Sequence, residues 1–275
     1  MEDGLISKRH EGSTVKVPGA APVMRPLRKV PILNAFVHDV TMDELLENFD
    51  RGRLLTLHVD MLIKLQKDRA FYDILDRFDV VTCDSQIMYF ALKLLGTPVR
   101  ERVSGSDFFP KFYMRHKDDP DVTVFILGGK PGIAEIAARN INEKAGRDIV
   151  IDTYAPPFGF EKDADEVARV VDRVNASGAT VLFVAMSGGT QEKFIMDTCD
   201  RMPGLRLVLP LGGTVDYEAR TLKRPPAWVT NAGFEWFYRV LKEPRLRWKR
   251  YFIHQTPFLW LALKQKLGWY RDPFA

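Results

Sequence analysis

Short apolar runs alternate with stretches of helical periodicity through most of the chain. The apolar runs predict strands at residues 53–60, 79–83, 122–128, 149–153, 180–186 and 205–211. The intervening stretches predict helices at residues 63–75, 85–95, 132–145, 163–176 and 190–200. Strands that are apolar throughout and separated by helices are typical of a parallel sheet covered on both faces. The sequence therefore predicts an α/β fold that binds ligands at the carboxyl ends of its strands.

The same pattern divides the chain of 275 residues into three parts. Residues 1–28 mix charged residues, glycine and proline without apolar periodicity, which predicts a disordered leader. Residues 29–220 contain all the predicted strands, and we expect them to form one compact domain. Residues 221–275 predict a mostly helical appendage that is rich in basic and aromatic side chains.

Positive charge is concentrated in this appendage. The net charge is +4, yet residues 220–275 hold twelve Lys and Arg against three acids, so residues 1–219 carry −5. All five tryptophans lie in the same segment. Basic residues among tryptophans suit an anionic membrane surface, where indole rings lie at the level of the headgroups. A helix pair packed on the domain or a nucleic-acid surface would show the same mixture; we expect the membrane surface and no nucleic acid.

Composition argues against several other classes of protein. With only two cysteines, Cys83 and Cys199, a disulfide scaffold and a cysteine-based zinc site are excluded. No apolar run is long enough to span a bilayer, and the N-terminus lacks the pattern of a secretion signal, so we expect a cytosolic location. The five histidines lack metal-ligand spacing, and we expect no metal site.

Glycine pairs follow three of the predicted strands. They lie in residues 128–132 (GGKPG), 187–193 (SGGTQEK) and 212–216 (GGTVD). Glycine lets the backbone approach a phosphate closely, and the free N–H groups at the start of a helix favour an anion. Each turn alone fits a tight strand-to-helix connection equally well. Three such turns at one edge of a sheet favour a phosphate-bearing or sugar-bearing ligand that lies across the strand ends.

Polar side chains also lie at the first two strands. Asp84 follows residues 79–83, and its carboxylate could take a proton from a hydroxyl or only cap the next helix. Thr56 and His58 share one face of the neighbouring strand, although a histidine there is more often structural than a base. Arg102 fits either a phosphate clamp or a surface ion pair.

Eight stretches between about residue 30 and residue 251 form a more specific pattern together than any of them alone. They are residues 56–60, Asp84 with its helix, 101–107 (ERVSGSD), 125–132 (FILGGKPG), 187–193 (SGGTQEK), 212–216 (GGTVD), 223–228 (KRPPAW) and 235–244 (EWFYRVLKEP). In this order they resemble the WecG/TagA/CpsF glycosyltransferases of bacterial surface-polysaccharide synthesis.

The resemblance implies a Rossmann-like sheet of the GT-E type and an inverting glycosyltransferase. The donor would be a UDP-sugar carrying a hexose, N-acetylmannosamine or its uronic acid, and the acceptor a polyprenyl-diphosphate-linked sugar. The product would belong to exopolysaccharide or cell-surface polysaccharide. The enzyme would need no metal or other cofactor and would lie peripherally on the cytoplasmic face of the bacterial inner membrane. A homo-oligomer is left open.

The resemblance also implies roles for individual residues. Asp84 matches the proposed general base. Pocket residues that would bind substrate are Thr56, His58, Arg102, Gln191, Asp216 and Arg239. Residues on the nucleotide side are Gly128, Gly129, Lys130, Gly188, Glu192, Gly212 and Gly213. Basic residues that would meet the membrane or the acceptor phosphates are Arg245, Arg247, Lys249 and Arg250.

Three departures from the family pattern concern the donor sugar. His58 replaces a frequent Asn, Ser85 replaces a usual Gly, and residues 187–190 (SGGT) replace the usual Gly-Ala/Ser-Pro-Lys. Two other functions remain as alternatives, a non-enzymatic membrane scaffold and a nucleotide-dependent oxidoreductase on a similar sheet. The absence of a GxGxxG fingerprint argues against the oxidoreductase.

Overall fold

A computed structural model describes residues 26–222 and 255–275. It confirms the predicted α/β fold, with one parallel sheet of six strands flanked by helices. Most of the predicted leader and residues 223–254 of the predicted appendage lie outside the described residues. The proposed boundaries of these two parts stay predictions.

The central sheet has the strand order β4-β3-β8-β7-β5-β6, and every neighbouring pair is parallel. A separate antiparallel hairpin, β1 with β2, precedes it. The strands are β1 Lys29–Ile32, β2 Ala35–His38, β3 Gly52–Leu57, β4 Val80–Cys83, β5 Val124–Gly128, β6 Val150–Tyr154, β7 Val181–Ala185 and β8 Leu207–Pro210.

Helices cover both faces of the sheet, and each face has its own apolar core. In β5, Phe125 and Leu127 join one core while Val124 and Ile126 join the other, as the period of two requires. The helices are α1 Met42–Asn48, α2 Val59–Leu65, α3 Arg69–Ile74, α4 Gln86–Leu95, α5 Gly105–Arg115, α6 Ile133–Ala145, α7 Ala164–Ser177, α8 Thr190–Thr198, α9 Thr214–Glu218 and α10 Thr256–Lys266.

Two predicted elements differ from the structure near β3. The strand predicted at residues 53–60 ends at Leu57, because His58 is the N-cap of α2. The single helix predicted at residues 63–75 is two helices. The break lies at Asp68, whose side chain accepts a hydrogen bond from the Phe71 N–H and so starts α3.

The C-terminal segment packs back onto the sheet domain. Helix α10 contacts α2 and α4, and its Phe258 is fully buried in one of the two cores. Beyond α10, the Tyr270 hydroxyl donates to Gln66 Oε1 at 2.7 Å. Within the described part of the chain, no helix is both long and apolar enough to cross a membrane.

His38 makes the stability of the domain sensitive to acid. Its Nδ1 accepts the Val81 N–H at 2.9 Å and so ties the hairpin to the edge strand β4. Burial lowers the pKa of His38 from 6.5 to about 4. Because the unfolded chain binds a proton that the folded chain does not, stability falls by about 3 kcal/mol as the pH drops from 7 to 4.

The substitution His38→Asn tests this effect, since the asparagine oxygen can accept the same N–H but does not titrate. We expect urea unfolding at pH 7 and pH 4 to show a smaller acid loss for the variant than for the wild type, by about 3 kcal/mol. An equal loss in both proteins would contradict the assignment.

Candidate active site

A cavity of about 590 Å³ lies at the carboxyl ends of β3, β4, β7 and β8. Its wall brings together nine of the residues that the sequence predicts for the site. They are Thr56, His58, Asp84, Arg102, Gly188, Gln191, Gly212, Gly213 and Asp216. Asp84 therefore shares one cavity with two of the three glycine turns.

Asp84 lies between the end of β4 and the start of α4. Its backbone N–H donates to the Leu57 carbonyl at 3.0 Å, which fixes the residue beside the end of β3. The N-cap of α4 is Ser85, so the alternative that Asp84 caps this helix is wrong. The Asp84 side chain is 27% exposed and lines the cavity, and its Oδ1 lies 3.9 Å from an Arg102 Nη.

Arg102 is held next to Asp84 by the polypeptide around it. The Val103 N–H donates to the Cys83 carbonyl at 3.0 Å, which brings this segment alongside the end of β4. One Arg102 Nη donates to the Asp84 carbonyl at 3.0 Å, and the other donates to Asp107 Oδ2 at 3.1 Å. Arg102 therefore does form ion pairs, with Asp107 and, at 3.9 Å, with Asp84 Oδ1, but its side chain is only 16% exposed and lines the cavity. The phosphate clamp stays a prediction.

Thr56 and His58 both line the cavity from the end of β3. Thr56 is buried and lies opposite Thr82 in the ladder with β4. His58 is not a strand residue as predicted but the N-cap of α2, and its side chain makes no capping hydrogen bond. A Cβ added to Gly188 would lie 3.6 Å from His58 Nε2, so the segments that follow β3 and β7 approach each other here.

The turn from β7 into α8 carries Gln191 and Glu192. Gln191 lines the cavity, whereas Glu192 is fully buried behind it. The Glu192 carboxylate accepts hydrogen bonds from the Gly189 N–H and from Gln191 Nε2. Burial raises the pKa of Glu192 to about 6, and the hydrogen bonds from Gln191 and Gly189 oppose that shift.

Asp216 reaches the cavity from the short helix α9, which follows the third glycine turn. The last residue of α9, Glu218, is buried and anchors the helix. Its Oε2 accepts from Lys144 Nζ at 2.9 Å and from the Tyr113 hydroxyl at 3.1 Å. Helices α5 and α6 thereby hold Asp216 at the cavity.

Several predicted site residues lie elsewhere. Gly128, Gly129 and Lys130 are not in the cavity wall. Gly128 has a φ of +99°, and a Cβ there would lie 2.7 Å from the Ala185 carbonyl oxygen, so close packing on β7 requires this glycine. The predicted nucleotide role of this turn stays a prediction. The basic residues Arg239, Arg245, Arg247, Lys249 and Arg250 lie outside the described residues.

The cavity wall also contains polar residues that the sequence analysis missed. Among them are Asp60, Lys64, Gln86, Ser104, Ser106, Thr214 and Tyr217. Asp60, Gln86 and Thr214 lie in the first turns of helices that follow strands directly, and that position was a usable signal. Lys64 lies in the last turn of α2, and Ser104 and Ser106 lie at the start of α5, which follows α4. Gln255 gave no such signal, because it comes from the distant C-terminal segment. Its Nε2 donates to Asp60 Oδ1 at 3.2 Å.

Three carboxylates and two basic side chains, besides His58, line the cavity. The carboxylates are Asp60, Asp84 and Asp216, and the basic side chains are Lys64 and Arg102, of which Arg102 lies beside Asp84. Among residues 26–222 and 255–275, no group of three His, Cys, Asp or Glu side chains is arranged to hold a metal ion. Metal independence stays a prediction. The arrangement offers a proton acceptor beside groups that can bind an anion.

The model of the glycosyl transferase WecG/TagA/CpsF family matches residues 30–272, which is most of the chain. The match includes every residue of the cavity wall and extends into the C-terminal segment. The chain therefore belongs to the WecG/TagA/CpsF family of glycosyltransferases, which acts in cell-surface polysaccharide synthesis.

Proposed function

We propose that this protein transfers a sugar from a UDP-sugar to a polyprenyl-diphosphate-linked sugar, with inversion at the anomeric carbon. The observation that carries the proposal is the single cavity that contains Asp84, Arg102 and two glycine turns at the carboxyl ends of parallel strands. Such a strand edge is where open α/β sheets bind their ligands.

Asp84 is the general base in this proposal. An acceptor hydroxyl is a poor nucleophile, and its oxygen attacks the anomeric carbon while the proton passes to the Asp84 carboxylate. The bond between that carbon and the donor phosphate oxygen breaks on the opposite face, and its electron pair leaves with UDP. A positioned base contributes about 100- to 10,000-fold to such a step.

The departing diphosphate gains negative charge, which the cavity can stabilise. Arg102 presents a guanidinium whose fork is already oriented by Asp107. Lys64 lines the same cavity and donates to the Gly188 carbonyl, so its ammonium lies at the glycine turn after β7. Electrostatic stabilisation of a leaving group from these two positions needs no metal ion, and we propose metal-independent transfer.

The donor sugar is proposed only as a class. We propose a hexose, N-acetylmannosamine or its uronic acid, destined for exopolysaccharide or another cell-surface polysaccharide. His58 and Ser85 line the cavity at two positions where the sequence departs from the family pattern. Side chains at these positions can select among sugars, since buried polar groups left unpaired by the wrong substrate are costly.

Calorimetry with UDP tests the proposal against its two alternatives. We expect UDP to bind to the wild type with measurable heat and a nicotinamide dinucleotide to give none. A scaffold protein would bind neither, and an oxidoreductase would bind the dinucleotide. Either of these results would contradict the proposed function.

A peripheral location on the cytoplasmic face of the bacterial inner membrane belongs to the same proposal. Helices α4 and α10, which pack on each other, expose apolar side chains that include Phe90, Leu94, Leu259, Trp260 and Leu263. Lys264 Nζ lies 5.4 Å from the Trp260 ring centroid, so a cation accompanies the apolar surface. Apolar and basic groups together fit an anionic bilayer surface.

Vesicle sedimentation tests this surface. We expect Trp260→Ser to weaken binding to vesicles that contain an anionic lipid by about tenfold, because a half-exposed indole would lose its contact with the lipid. The control is Ile151→Ser, which removes an exposed apolar side chain from β6 at the opposite edge of the sheet. Equal weakening by both substitutions would contradict the proposed membrane face.

A further inference from the structure

We propose that Glu192 is a positioning residue whose buried carboxylate fixes the orientation of the Gln191 amide, so that Gln191 presents an N–H group to an oxygen atom of the donor. This inference rests on the proposed function, because it assigns how one wall residue meets the UDP-sugar. The two residues are neighbours at the start of α8, yet only Gln191 lines the cavity.

A chain of three hydrogen bonds connects these residues. The Met186 N–H donates to Gln191 Oε1 at 3.3 Å, and Gln191 Nε2 donates to Glu192 Oε1 at 2.8 Å. The Gly189 N–H donates to Glu192 Oε2. Both ends of the chain are backbone N–H groups, which can only donate. An ionised carboxylate can only accept, so it sets the direction of every bond between them.

These three hydrogen bonds prevent the Gln191 side-chain amide from rotating by 180°. A reversed amide would place Nε2 against the Met186 N–H and Oε1 against the Glu192 carboxylate, which are two unfavourable contacts. In the observed orientation one Nε2 hydrogen is donated to the Glu192 carboxylate. The second has no hydrogen-bond partner among the described residues and is available to a ligand oxygen.

The position of the amide suits a donor that lies across the strand ends. A Cβ added to Gly212 would lie 4.0 Å from Gln191 Nε2, so the amide lies between the glycine turns after β7 and β8. An N–H donor at this place complements a phosphate or sugar oxygen.

Glu192 also has an ordinary structural role, which the test must separate. It is the third residue of α8, and its carboxylate accepts a hydrogen bond from the N–H of the N-cap residue Gly189. Glu166 offers a matched control. It is the third residue of α7, is buried, accepts from the Tyr154 hydroxyl and does not line the cavity.

A double-mutant cycle on UDP affinity tests the proposal. Glu192→Gln places a second side-chain amide next to that of Gln191. However these two amides are oriented, one N–H group faces another N–H group, so we expect UDP affinity to fall about tenfold or more. In the Gln191→Ala background this conflict is absent, and we expect Glu192→Gln to change UDP affinity less than twofold there. Glu166→Gln is expected to leave UDP affinity unchanged.

Calorimetry and thermal unfolding of all five proteins give the readouts. Wild-type affinity in Glu192→Gln, or an equal effect of this substitution in both backgrounds, would overturn the positioning role. If Glu192→Gln fails to fold, the variant that carries both Gln191→Ala and Glu192→Gln decides. A double variant that folds and binds UDP as tightly as Gln191→Ala supports the proposal. A double variant that fails to fold overturns the proposal. If the wild type itself binds no UDP, the proposed function fails instead.

Discussion

Replacement of Asp84 by asparagine is expected to lower kcat by about 100- to 10,000-fold, because the amide cannot take the proton of the acceptor hydroxyl. The local structure should survive the change. Asparagine has the same size, and the backbone N–H and carbonyl of this residue keep their hydrogen bonds to Leu57 and Arg102. The change removes one member of the 3.9 Å ion pair with Arg102, whose guanidinium keeps its bond to Asp107. The KM for the UDP-sugar is therefore expected to change little, since the base acts on the acceptor.

Steady-state rates with a short-chain polyprenyl-diphosphate-sugar acceptor measure this effect. The control is Asp152→Asn on the opposite edge strand β6, where the carboxylate pairs with Arg173 and does not line the cavity. The control should keep the wild-type kcat. A variant at Asp84 with a kcat within threefold of the wild type would rule out this residue as the base.

Arg102→Lys is expected to lower kcat/KM by about 100-fold, although the formal charge is unchanged. Lysine carries a single ammonium that cannot reproduce the fork between the Asp84 carbonyl and Asp107 Oδ2. The substitution costs hydrogen bonds made by a charged group, each worth about 1.5–3 kcal/mol, at the place where the diphosphate gains charge.

Arg100→Lys is the matched control for this substitution. Arg100 lies two residues away, is half exposed and pairs with Glu44 and Asp39 outside the cavity. We expect its kcat/KM to stay within twofold of the wild type. Similar losses in the two variants would show that the effect comes from the stability of the segment and not from the site.

The central strands β5, β7 and β8 could be predicted from sequence because they are buried on both faces. The predicted strand at 180–186, for example, corresponds to β7 Val181–Ala185. Helix α5 escaped prediction because Pro110 interrupts its pattern, and α9 because five residues are too few to show periodicity. The break at Asp68 was missed since a capping side chain, not a glycine or proline, ends the helical run.

Site residues could be predicted from sequence where they directly follow a strand. Asp84, Gly188 and Gly212 follow buried strands, and their convergence at one sheet edge follows from parallel topology. The place of Glu192 behind the wall was not predictable, because sequence cannot tell a side chain in a cavity wall from its neighbour behind that wall. Gln255 was out of reach because it arrives at the cavity by tertiary packing of α10 on the domain.

The most direct measurement is mass spectrometry of a polyprenyl-diphosphate-sugar acceptor incubated with the wild type and a panel of UDP-sugars. The account predicts that one UDP-sugar adds a single sugar residue to the acceptor, that one UDP is released for each addition, and that Asp84→Asn nearly abolishes the product. An acceptor that stays unmodified with every UDP-sugar, while the folded protein is present in stoichiometric amount, would contradict it.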